Sequence, residues 1–168
     1  MGIVSVPNLD HDIFISYAHV DDQSLIEGEK GWVEHLHRVL KISLYQLRGE
    51  EPKIWRDPKL DGNHRFADEL DSQVPRARLL LSIVSPRYVK SDWCRREVET
   101  FVKQGANIGT HSRILRVVKT PVPHEEQPEP LKELLGYEFF DVDPDTKRHD
   151  AYTSPKDERF LRRLADLT

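Results

Sequence analysis

A single cysteine, Cys94, serves the whole of a 168-residue chain. No disulfide can form within it, and no cysteine pair exists to hold a metal. That usage fits a reducing compartment. At this length folding buries roughly 70% of the extended-chain surface, so a core can form without covalent staples. Long apolar runs are missing too, and nothing approaches the ~18 residues of a membrane span. No basic-then-apolar leader opens the sequence. Met1-Gly2 lacks the Ser or Thr at position 6 that an acylation signal asks for, since Val6 stands there. Positive charge is not in excess: 25 Lys and Arg face 29 Asp and Glu, for a net charge of −4. A general nucleic-acid binder needs a basic field, so that class is set aside. The expectation is a cytoplasmic protein with neither a membrane nor a nucleic acid as partner. Familiar motifs are few as well. There is no Gly-rich dinucleotide fingerprint after the first strand, no phosphate loop and no nucleophile elbow.

What remains is a patterned α/β chain. It is 38% hydrophobic and 32% charged. Ile13-Phe14-Ile15, Lys53-Ile54-Trp55, Leu79 to Val84, Ile114 to Val118 and Tyr137 to Phe140 read as five strands. Leu79 to Val84 is apolar on both faces, as a central parallel strand is when helices cover both sides. Between the strands lie helical patterns. Residues 31–47 space Trp32, Val33, Leu36, Val39, Leu40 and Leu44 by three and four. Phe66, Leu70 and Val74 recur every four residues. Ser85-Pro86 supplies a cap and a first-turn proline for a helix running through Trp93, Cys94, Val98 and Phe101. Leu131 to Leu135 is a short helix that Gly136 would stop. Residues 141–153 read as irregular, and Ser154-Pro155 as the cap of a last helix. Repeated β-α alternation builds a parallel sheet with right-handed crossovers. The predicted fold is therefore a flavodoxin-like three-layer α/β sandwich in strand order 2-1-3-4-5. Its ligands should bind past the carboxyl ends of strands one and three. A phospho-acceptor receiver of the same topology would end its third strand on aspartate, whereas Ser85 follows Val84 here.

Three segments fall on that rim. The first is His11-Asp12-Ile13-Phe14-Ile15-Ser16-Tyr17-Ala18-His19. The second is Trp55-Arg56-Asp57-Pro58-Lys59-Leu60-Asp61-Gly62. The third is Ser85-Pro86 followed by Ser91-Asp92-Trp93-Cys94-Arg95-Arg96-Glu97. In order and spacing they resemble the boxes of the Toll/interleukin-1 receptor (TIR) domain family, and the likeness spans most of the chain. A single TIR domain over 1–168, heading a longer protein, is the expectation.

Members of the family that this chain resembles cleave the nicotinamide–ribose bond of NAD. The resemblance implies Glu97 as the catalytic carboxylate. It implies Tyr17, Ala18, His19, Lys59, Asp61 and Trp93 as substrate contacts, with NAD⁺ as substrate and no cofactor or metal. Ala18 stands where the family pattern often has arginine, and His19 is the candidate substitute. Trp93 and Glu97, four apart on a helix, share a face, bordering the stripe of Cys94, Val98 and Phe101. Glu99 reads instead as a solvated partner of Arg95 and Lys103.

Plainer readings stand beside these. Trp93 and Cys94 can be core, Glu97 a surface carboxylate paired with Arg96 or Lys90, and Tyr17 a strand cap. Lys59 and Asp61 can be ordinary turn residues, and His19 a solvated one. Three functions follow. The first is an NAD glycohydrolase or cyclase acting as an immune effector and activated by self-association. The second is a non-catalytic module that signals through TIR–TIR contacts. The third is a deoxyribosyltransferase-like enzyme acting on nucleosides.

Overall fold

Apolar runs on alternating sides of helical patterns leave few ways to bury both strand faces, and the chain takes the expected one. The computed structural model describes residues 11–56, 77–104 and 113–168. Strands β1 (His11–Ser16), β2 (Ile54–Arg56), β3 (Ala77–Val84), β4 (Ile114–Val118) and β5 (Gly136–Glu138) form one sheet in order β2-β1-β3-β4-β5. Every neighbouring pair in it is parallel. β3 lies at its centre, and Leu80 to Val84 are fully buried.

Helix α1 (Trp32–Arg48) covers one face and sinks Trp32, Val33, Leu36 and Leu40 against Ile13, Ile15, Leu81 and Ile83. Each such side chain contributes roughly 1.5–3 kcal/mol on burial. The other face carries α2 (Pro86–Lys90) and α3 (Asp92–Gln104), which pack Tyr88, Cys94, Val98 and Phe101 on Phe14, Leu80 and Val84. The last helix, α5 (Glu158–Leu167), returns to the α1 side through Phe160 and Leu164.

Several boundaries differ from the sequence reading. The helix expected from Ser85 through Phe101 is two helices, because Ser91 breaks it. Its hydroxyl accepts the Cys94 N–H at 3.2 Å and so starts α3 afresh. The short helix α4 spans Glu129–Lys132, earlier than Leu131 to Leu135. Gly136 opens β5 rather than ending that helix, for a packing reason. It pairs with Arg116, and a Cβ there would meet the Arg116 guanidinium at 2.9 Å. The fifth strand ends at Glu138. Phe140 belongs to β6 (Phe140–Val142), which pairs antiparallel with β7 (His149–Ala151) in what had read as irregular chain. The cap of α5 is Asp157, which accepts the Arg159 N–H, rather than Ser154. The predicted helix at Phe66, Leu70 and Val74 lies outside the described residues.

The hairpin is tied to α5 by one guanidinium. Arg159 donates to Asp141 at 2.9 Å, Asp150 at 2.8 Å and Asp157 at 2.7 Å, and lies over the Tyr152 ring. The Tyr152 hydroxyl, then Arg159, holds the Asp141 carboxyl below its ordinary value, and Arg159 does the same to Asp157. Folded values below unfolded ones stabilise above the unfolded aspartate value of ~3.9 and lose that contribution as pH falls through the folded values. Arg159→Met is therefore expected to speed amide exchange across 140–151 at neutral pH while the five-stranded core stays protected. The wild type should loosen there only in acid. Equal protection of the hairpin in the variant would count against this tie.

Candidate active site

Ser85 ends β3 and begins the site. Its hydroxyl accepts the Tyr88 N–H at 3.1 Å, capping α2, and donates to Asp21 at 2.5 Å. Asp21 sits in the 3₁₀ turn His19–Asp22 after β1, and its second oxygen lies 3.7 Å from Lys119, just past β4. The Lys119 ammonium stands 5.8 Å from the Trp32 ring centroid. Serine, aspartate and lysine thus lock together the carboxyl ends of β1, β3 and β4, the rim where a parallel sheet presents ligands. Asp21 and Lys119 were not singled out in the sequence, and Ser85 was read only as a helix cap and as the start of the third rim segment. Each follows a different strand, so no local pattern marks the three as a group.

Helix α3 then lays its second turn on that rim. The Cys94 thiol donates to the Tyr17 carbonyl at 3.4 Å, which anchors the first turn over the end of β1. One turn on, Glu97 has no exposed surface at all. Cys94, Glu97, Val98 and Phe101 follow the spacing of three and four that defines a buried stripe. Glu97 is thus inside the stripe it was expected to border. That burial overturns the surface placement of the plainer reading of Glu97. An ionised carboxylate withdrawn from water is costly, which sets this residue apart from Glu99, exposed on the same helix.

The remaining candidates divide. Trp93 is partly buried and packs on the same cluster as Cys94 and Ala18. Its indole Nε1 is shielded from solvent and meets no hydrogen-bond acceptor among the described residues. Ala18 is buried on this face, next to the cover formed by α2 and α3. The Tyr17 ring goes the other way, into the α1-side cluster with Ile13 and Ile15, with the Arg56 guanidinium 5.8 Å from its centroid. His19 is exposed at the start of the 3₁₀ turn. Lys59 and Asp61 lie outside the described residues. The structure therefore brings Glu97, Trp93 and Ala18 to one face and puts the Tyr17 ring on the opposite one.

A neighbour of Glu97 that the sequence reading treated only as helix core is Tyr88. Burial, then the nearby charges of Cys94 and Glu97, push its phenol well above the ordinary tyrosine value. Among the described residues no group of three or more His, Cys, Asp or Glu is placed to hold a metal. The open crease lined by Asp141, Asp143, Arg148 and Asp150 belongs to the hairpin and contains none of the candidate residues.

A five-stranded parallel sheet with this order, and polar residues gathered where β1 and β3 end, defines a doubly wound α/β domain of the flavodoxin-like class. Within that class, the family model described as the TIR domain matches residues 13–154, and the chain belongs to the TIR domain family. Solved TIR structures resemble it. The TIR domain of the Toll-related receptor TRR-2 from Hydra magnipapillata is 17% identical, with a TM-score of 0.50 over 77% of this chain and 84% of that one. The TIR domains of the activated Roq1 resistosome, which recognises the pathogen effector XopQ, are 19% identical. That match has a TM-score of 0.45 and covers 64% of this chain and 57% of that one. A TIR-STING receptor from C. gigas in complex with 2',3'-cGAMP is 15% identical, with a TM-score of 0.47 over 77% of this chain and 35% of that one. At these identities the likeness is one of fold. No curated protein matches the chain. Among the described residues no helix is long and apolar enough to cross a membrane.

Proposed function

We propose that this domain cleaves the nicotinamide–ribose bond of NAD⁺ as the effector of an immune response, and that self-association switches it on. The observation that carries the reading is Glu97: a carboxylate with no exposed surface, one turn from the helix start that docks on the end of β1. Folds retain such costly groups chiefly where chemistry uses them. The chemistry asks for little more. The C1′–N bond breaks and its electron pair moves onto the pyridinium nitrogen, so nicotinamide leaves neutral and needs no general acid. Positive charge develops on the ribose, as in glycoside hydrolysis. One carboxylate can stabilise that charge or attack it, and the indole Nε1 of Trp93, buried and without an acceptor among the described residues, is a donor that an opened site would present. Water or a substrate nucleophile then completes hydrolysis or cyclisation.

The same burial supports a second reading. A carboxylate with no exposed surface is closed to substrate in this conformation, as it would be in a non-catalytic module that acts only through TIR–TIR contacts. The two readings join if assembly opens the site. Specific activity should then rise with protein concentration or artificial clustering and be close to nil in dilute solution. Nicotinamide release per mole of protein, followed over a wide dilution series, tests this. A flat, high activity would show that the monomer is already competent. No release even from clustered protein would favour the non-catalytic module, and release of base from a nucleoside instead would favour a deoxyribosyltransferase-like enzyme.

A further inference from the structure

Residues 23–30 form a loop that holds its shape. Its ends are pinned where Gly31 presses on Asp22. Within it the Ile26 N–H donates to Ser24 Oγ at 3.1 Å, the Glu29 N–H donates to the Ile26 carbonyl at 3.2 Å, and Gly28 takes φ +82° inside that turn. On this ordered loop Leu25 is fully exposed and Ile26 is 60% exposed. Single aliphatic residues on a surface mean little, but two neighbours held outward by a shaped loop form an apolar knob. Glu27 and Glu29 stand beside them, exposed and with no cation in salt-bridge reach among the described residues. A second surface of matching character lies on α1. That helix buries Trp32, Val33, Leu36 and Leu40. On its other side Arg38, Ile42 and Tyr45 fall at spacings of four and three, which makes one stripe, and all three are exposed. Lys41 and Arg48 answer Glu51 and Asp12, whereas Arg38 meets no carboxylate among the described residues.

We propose that these two surfaces meet between copies of this chain: the Leu25–Ile26 knob of one molecule lies on the Arg38–Ile42–Tyr45 stripe of the next, with Glu27 and Glu29 against Arg38. The proposal rests on the reading that self-association switches the domain on, and it gives that association a surface. A second copy is the occupant because the chain carries both halves of the match, apolar to apolar and acidic to basic. The halves do not meet within one molecule, since both are exposed and Ile42 lies about 15 Å down the helix from Trp32 at 1.5 Å per residue. Because the two surfaces differ, the contact is head-to-tail and builds a ring or a filament instead of a closed pair. Two aliphatic side chains and one charged cluster are less than a stable complex buries, and association must also offset lost freedom of motion. The contact therefore forms only at high local concentration, as a domain that is silent when dilute requires.

The test is sedimentation of the chain over a concentration series, with nicotinamide release read on the same samples. Leu25→Asp and Ile42→Asp change exposed side chains and should leave the thermal melt unaltered. Each should raise the concentration for half-association at least ~10-fold, as loss of an anchor residue does. Mixed in equal amounts, the two variants should form pairs and nothing larger, because one intact knob then faces one intact stripe. Arg38→Glu should weaken association, as should Glu27→Arg with Glu29→Arg, and all three changes in one chain should restore it. A wild type whose size is independent of concentration overturns the inference. So does a loss confined to one of Leu25→Asp and Ile42→Asp, or a mixture that does not pair. Association that maps to both surfaces in protein that never releases nicotinamide supports the contact and overturns the glycohydrolase reading. Concentration-dependent release that is unchanged in both variants overturns the contact and leaves that reading standing.

Discussion

Glu97→Gln is expected to cut nicotinamide release by at least ~10²–10³-fold, the range found when a preorganised charge-stabilising group is removed, while leaving thermal stability unchanged or raised. The two halves have one cause. Glu97 has no exposed surface, so folding withdraws its carboxylate from water. The ribose carries no positive charge until the bond breaks, so the carboxylate's interaction with it is made chiefly in the transition state. Glutamine keeps the volume and much of the hydrogen bonding but not the charge. On the proposed reading it removes the charge that acts on the ribose, and with it the cost of withdrawing a carboxylate from water. A residue on the helix surface would behave differently, changing stability by under ~0.5 kcal/mol in either direction. Glu99→Gln, on the exposed side of α3, is the matched control and should leave release unaltered. Nicotinamide release from clustered protein and a thermal melt on the same samples decide the matter. Full release by Glu97→Gln, or loss of release in Glu99→Gln alone, would remove Glu97 from the reaction.

The sheet was legible because its strands are apolar on both faces and alternate with amphipathic segments, and those two facts together leave one economical topology. The helix break at Ser91 was not, because the apolar spacing continues across it and only the serine's bond to the Cys94 N–H ends one helix and starts the next. Nor was Gly136, whose reason is a guanidinium from the neighbouring strand. At the site, more was readable than was read. Cys94, Glu97, Val98 and Phe101 already spell a stripe that includes the glutamate. Strand alternation already separates Tyr17, in phase with Ile13 and Ile15, from Phe14, Ser16 and Ala18. The Ser85–Asp21 bond is of another kind. It joins residues 64 positions apart, and only the closed sheet brings them within reach.

Gly31→Ala should be the most damaging single-methyl change in the described chain, costing about 3 kcal/mol or more, at or above the top of the usual range for overpacking. Gly31 precedes α1 with φ −71°, a value open to any residue, so backbone freedom is not what it supplies. It supplies the absence of a Cβ, which would collide with both the backbone oxygen and Oδ1 of Asp22. Residues 23–30 therefore leave and rejoin the fold at a pinch where Asp22 and Gly31 touch. The pinch matters because Asp22 works in two directions. One oxygen accepts the Glu34 N–H at 2.8 Å, satisfying the first turn of α1, and the other meets Arg56 at 3.0 Å, at the end of β2. Forcing Asp22 away uncaps a helix that buries Trp32, Val33, Leu36 and Leu40, and frees the guanidinium that lies over Tyr17. Gly28 provides the contrast. It has φ +82°, but a methyl group added there would find nothing within 4 Å, so Gly28→Ala meets only the left-handed backbone cost of about 1–2 kcal/mol. Urea unfolding of the two variants beside wild type measures both. Gly31→Ala should lose clearly more than Gly28→Ala, and exchange of the first-turn amides of α1 should rise with it. Equal losses would mean that the pinch yields easily and that Asp22 holds its two partners without Gly31.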